Sequence, residues 1–152
     1  MNLFFAVLSF GACAATGFTY SSRYRKIYLF WNSFLQFNRF ANVQIKTFSC
    51  PIEKITETLP NGDFKTFAKH AAKSDANIFI PNYLTLEEKE YLTSYFHQIR
   101  RIDFAGISSF LEGALPFLEE REAKAKLLYD KNTKFSKKLG ILSGLALFIL
   151  MV

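Results

Sequence analysis

The hydrophobic positions of this chain fall into three regimes. From Leu3 to Tyr20, apolar and small residues run almost without a break: Leu-Phe-Phe-Ala-Val-Leu-Ser-Phe-Gly-Ala-Cys-Ala-Ala-Thr-Gly-Phe-Thr-Tyr. From Leu139 to Val152 a second run is equally free of charge. Between them, apolar residues recur at helical spacing among charged ones. Ile27, Trp31, Phe34, Asn38, Ala41, Ile45 and Phe48 alternate steps of four and three, a heptad seam broken by one polar residue. Tyr28, Phe30, Phe37 and Phe40 widen the apolar surface beyond that seam, so this helix needs others to cover it.

Pro51 ends the first long helix and opens a short one carrying Ile52, Ile55 and Leu59, which Pro60-Asn61-Gly62 stops. Phe64, Phe67, Ala68 and Ala71 mark the apolar side of a third helix, and residues 74–82 predict a loop. Thr85 with Glu88 three residues on has the spacing of a capping box, ahead of a helix with Leu92, Phe96 and Ile99 on its apolar side. A last, longest helix keeps the four-three alternation through Ile107, Leu111, Ala114, Leu118, Arg121, Ala125, Leu128, Asn132, Phe135 and Leu139, and Pro116 is expected to kink it. These elements predict an all-α fold. Its body, residues 23–137, is a helical bundle in which the two long helices run antiparallel and the shorter ones pack at their distal end.

Both apolar ends, residues 1–22 and 138–152, are expected to be transmembrane helices. The first is long enough to cross a hydrocarbon core, which takes about 20 residues of helix. It lacks the basic leading segment of a secretory signal, because its positive charges come after the apolar run. The second is shorter, about 21 Å of helix. Lys137 and Lys138 can snorkel to lengthen its reach, and it has no polar face with which to lie flat. Gly140 and Gly144 in one run, and Gly11 and Ala15 in the other, have the small-xxx-small spacing that lets helix backbones approach in lipid. These four are the candidate membrane-packing residues.

Charge sharpens this layout. All 19 basic and 13 acidic residues lie between Arg23 and Lys138, and the mean hydropathy of +0.08 hides that segregation. The net charge of +6 does not point to nucleic acid, since the basic residues form no patch interleaved with stacking aromatics. Seven of them instead flank the apolar ends (Arg23, Arg25 and Lys26; Lys131, Lys134, Lys137 and Lys138), the pattern of cytoplasmic flanks of membrane spans. The expected location is therefore a membrane, crossed more than once, with the main domain cytoplasmic.

Candidate chemistry is sparse. The two cysteines, Cys13 and Cys50, form no metal-type pair, and no glycine-rich loop precedes a lysine. His70 and His97 stand alone. Glu119, Glu120 and Glu122 beside Lys124 and Lys126 read as a solvated helix face rather than as acid–base catalysts. No catalytic residue, metal ligand or cofactor site is expected, and the chain reads as a non-enzyme. Glu119, Glu120 and Glu122 are the candidate partner surface.

The order of apolar run, Arg23-Tyr24-Arg25, long helix, Pro51-Ile52-Glu53 and a closing Lys137-Lys138-Leu139-Gly140 with Gly144 and an aliphatic tail resembles stage III sporulation protein AB of endospore-forming bacteria. The resemblance covers nearly the whole chain and is strongest at Gln44-Ile45 with Cys50-Pro51-Ile52, and at Lys138-Leu139-Gly140. Asp103 falls where the family tends to carry an acid. Gln44, Cys50 and Pro116 depart from its pattern, in place of an acid, a capping hydroxyl and an uninterrupted helix. The resemblance implies a fold like the cytoplasmic domains of type II secretion F-type platform proteins. It implies a scaffold in the mother-cell membrane, partnered by a secretion-type ATPase like stage III sporulation protein AA and by other membrane proteins of a sporulation complex. Self-association is left open. A general secretion or pilus platform outside sporulation, or an unrelated membrane adaptor, is the alternative.

Overall fold

A computed structural model describes the backbone of residues 2–48, 50–73 and 79–151. In the two long helices the side chains of residues 2–10, 12–14, 16–18, 104, 136–137, 140, 143–144, 147–148 and 150–151 are not among those described. Five helices follow one another: α1 (Asn2–Phe48), α2 (Ile52–Glu57), α3 (Asp63–Ala72), α4 (Leu86–Arg101) and α5 (Phe104–Met151). No strand occurs among the described residues. The fold is all-α.

The chain divides into two compact units, one of residues 29–123 and one of residues 1–28 with 124–152. The core of the first is built from the predicted seam. Trp31, Phe34, Asn38, Ala41 and Ile45 are buried on α1, joined by Phe30, Leu35 and Phe37. Phe48, the last seam position, is 67% exposed, because it follows the final turn that the neighbouring helices cover.

Aromatic rings fill the space between α1, α3 and α4. Phe34 stacks on Phe64 at 5.1 Å and meets Tyr95 edge-on at 4.8 Å. Phe37 stacks on Phe96 at 5.7 Å, and Phe67 meets Phe96 edge-on at 5.4 Å. Such offset and edge contacts are favoured by the ring quadrupole and add about 0.5–1.5 kcal/mol per pair beyond the area buried.

Local signals set the helix ends. Pro51 precedes α2 in an extended conformation. Thr85 closes a full capping box on α4: the Glu88 amide donates to the Thr85 hydroxyl at 3.3 Å, and the Thr85 amide donates to the Glu88 carboxylate at 2.9 Å. Asp103 lies just before α5, where its carbonyl accepts from the Gly106 and Ile107 amides at 3.0 and 3.2 Å. An acid at that place complements the positive end of the helix dipole.

The first long helix runs unbroken from Asn2 to Phe48. Pro116 lies inside α5, which continues on both sides of it. Pro116 is exposed, whereas Leu111 and Leu118 around it are fully buried, so packing outweighs the single missing backbone donor. The second seam is buried only as far as Ala125. Leu128, Phe135 and Leu139 are exposed.

Among the described residues no helix is long and apolar enough to cross a membrane. Most side chains of the two expected spans, residues 1–22 and 138–152, lie outside the described residues, as do residues 74–78 of the expected loop.

Candidate interaction surface

Within the unit 29–123, α1 and α5 are joined by a ladder of polar contacts in antiparallel register. Arg39 pairs with Glu119 at 2.6 Å, and one heptad up α1 Lys46 pairs with Glu112, one heptad down α5. Asn42, between the two cations on α1, accepts from the Ser108 hydroxyl through Oδ1 at 2.8 Å and donates from Nδ2 to Glu112 at 3.4 Å. Both ion pairs are about half exposed, a setting in which each contributes modestly to stability. The Lys46 ammonium, followed by the Asn42 amide, holds the Glu112 carboxyl below its ordinary range.

Beneath the ladder lies one fully buried polar node. Asn38 Nδ2 donates to the Leu111 carbonyl at 2.9 Å, and the Tyr95 hydroxyl donates to Asn38 Oδ1 at 2.5 Å. The node ties α1, α4 and α5 together at one height. Burial drives the Tyr95 phenol well above its usual value, so it stays protonated and keeps its donor role. Nearer the surface, Arg121 lies 5.1 Å over the Phe117 ring and 4.0 Å from Glu88, while Phe117 packs on Tyr91 at 4.3 Å. Tyr83 donates to Asp63 at 2.8 Å, and burial followed by that bond raises its phenol.

The candidate partner carboxylates do not form one free patch. Glu119 is engaged by Arg39, Glu120 is exposed, and Glu122 is half-buried. Of the candidate membrane-packing residues, Gly11 and Ala15 are exposed, and a β-carbon added at Gly11 meets nothing within 4 Å. Gly140 and Gly144 lie outside the described side chains. His97 is exposed and His70 half-buried. Among the described residues no three His, Cys, Asp or Glu converge as metal ligands. A groove of about 290 Å³ is lined mainly by Ile52, Ala72, Phe96, Ile99 and Ile107, with Glu53 and Arg100 beside them.

Sequence reasoning missed Glu112 and the Arg39–Glu119 pairing. The signal was present: Arg39 and Lys46 repeat at seven, as do Glu112 and Glu119, and antiparallel helices bring such pairs into register. The fold and this surface together define an all-helical protein in which Arg39 and Lys46 of α1 pair with Glu119 and Glu112 of α5. The family model of stage III sporulation protein AB (spore_III_AB) matches residues 36–152, and the chain belongs to that family. No curated protein and no solved structure matches it.

Proposed function

We propose that this sporulation-family protein is a non-enzymatic platform subunit, anchored by its two apolar ends in the mother-cell membrane. Its helical body faces the cytoplasm and holds a secretion-type ATPase, like stage III sporulation protein AA, against that membrane within a larger sporulation complex. The observation that carries this reading is the family match over residues 36–152. The polar ladder supports the scaffold part of it, because Arg39 and Lys46 of α1 pair with Glu119 and Glu112 of α5. Charge-free ends flanked by basic residues support the anchored topology.

The ATPase-facing surface is assigned to the stretch of α5 from Glu119 to Glu122. Co-purification of the ATPase with the full chain from sporulating cells tests it. E119Q/E120Q/E122Q is expected to lose the ATPase while remaining folded and membrane-bound. R39Q, which breaks the Arg39–Glu119 pair but leaves all three carboxylates, is expected to retain it. Equal recovery with the native and triple-variant chains rejects this surface. Deleting the gene is expected to stall development after engulfment begins and to leave vegetative growth normal. A growth or secretion defect in non-sporulating cells would instead indicate a general platform.

A further inference from the structure

The charge of the chain divides unequally between its two units. The unit of residues 1–28 and 124–152 carries nine basic side chains and a single acid, Asp130, a formal +8. The unit of residues 29–123 carries ten basic and twelve acidic side chains, a formal −2, and there Arg39 and Lys46 pair across helices with Glu119 and Glu112. Charge of one sign at that density disfavours the compact state through self-repulsion and attracts opposite charge from outside.

The basic groups are placed to meet such a partner. Arg23, Arg25 and Lys26 share one turn of α1 and are exposed. Lys131, Lys134 and Lys138, also exposed, occupy neighbouring positions along one side of α5. Exposed Leu128, Phe135 and Leu139 lie among these lysines. The aromatic side chains among the cations pair with one another, Tyr20 edge-on to Tyr24 at 5.2 Å and Tyr28 stacked on Tyr129 at 5.6 Å, and tyrosines beside cations are the composition of a membrane–water interface. Cations mixed with aliphatic side chains suit the boundary at which lipid phosphates meet acyl chains.

We propose that this basic collar selectively binds the phosphate headgroups of anionic phospholipids. The inference rests on the membrane reading above and goes beyond it. Orientation in a bilayer needs only an excess of basic residues on one side, whereas the collar holds anionic lipid against the protein.

The test is to synthesise the full chain cell-free with vesicles of equal phosphatidylglycerol and phosphatidylcholine, and to recover it by flotation. It is then extracted in mild detergent, purified, and its retained lipid quantified. The native chain is expected to float and to retain phosphatidylglycerol at about threefold or more over the input ratio, in line with a cluster of several cations at an anionic surface. K131Q/K134Q/K138Q is expected to float and to retain the two lipids nearer the input ratio, whereas K131R/K134R/K138R keeps the enrichment. A native chain that floats with lipids at the input ratio overturns the collar and leaves the membrane reading standing. A chain that does not float overturns both. Displacement of the retained lipid by a short DNA duplex overturns the lipid assignment.

Discussion

The buried node of Asn38 and Tyr95 is the most consequential polar feature at the scale of single residues. Both side chains are removed from water, so the Tyr95 hydroxyl and Asn38 Oδ1 depend on each other for their hydrogen bond. Replacing Asn38 with Leu strands the Tyr95 hydroxyl and is expected to cost about 2 kcal/mol or more. Tyr95→Phe strands Asn38 Oδ1 and is expected to cost about 1–2 kcal/mol. Because one variant removes what the other leaves unpaired, the double variant should be less destabilised than the two singles combined. Urea unfolding followed through Trp31, the single tryptophan and fully buried, measures all three. Strict additivity would mean that the two side chains do not share a bond in solution. Glu112 supplies a second prediction. Its folded carboxyl titrates below the ordinary range because of Lys46, so the pairing operates above the usual carboxylate pKa and is lost as pH falls through the depressed value. Side-chain carbon NMR should show its midpoint rising in Lys46→Gln. An unchanged midpoint would place the cause elsewhere.

At the scale of elements, α4 and α5 begin by different means. The capping box at Thr85 satisfies two amides, and Thr85→Ala is expected to lower stability by about 1 kcal/mol, read from the same urea transition. In the first turn of α5, a β-carbon on Gly106 would lie 2.6 Å from Ile102 Cγ2 and 2.8 Å from Asp103 Oδ1. Gly106→Ala should therefore destabilise the protein, although alanine is the better helix former. A gain in stability would show that the α4–α5 junction relaxes freely. The cap was legible in the sequence because its chemistry is local, two residues at a fixed separation. The aromatic seam was legible too, since Trp31, Phe34 and Ile45 repeat with the helix. The junction was not, because what crowds Gly106 is the direction in which the chain leaves Ile102. The Asn38 node was half visible. The polar break in the seam stood out, but its partners Tyr95 and Leu111 lie on other helices, and only tertiary packing brings them to it.

For the whole molecule, the distribution of charge carries more than its total. A net +6 divides into a −2 unit of nearly balanced charge and a +8 unit whose cations lie near the two apolar ends of the chain. If those ends span a bilayer, the basic residues flanking them stay on the cytoplasmic side, because lysine and arginine beside a span resist translocation. Arg23 to Lys26 and Lys131 to Lys138 would then both be cytoplasmic, and both chain ends would lie on the opposite face. A phosphatase that matures only outside the cytoplasm, fused after Val152, is expected to be active, and a fluorescent reporter that matures only inside should stay dark at the same position. Fusions within residues 74–78, between α3 and α4, should give the reverse pattern. Moving the charge should move the protein: neutralising Lys131, Lys134, Lys137 and Lys138 together is expected to raise the fraction of molecules whose C-terminal reporter signals from the cytoplasm. A dark phosphatase with a bright fluorescent reporter after Val152 in the native chain would remove the second span, leaving a single N-terminal anchor.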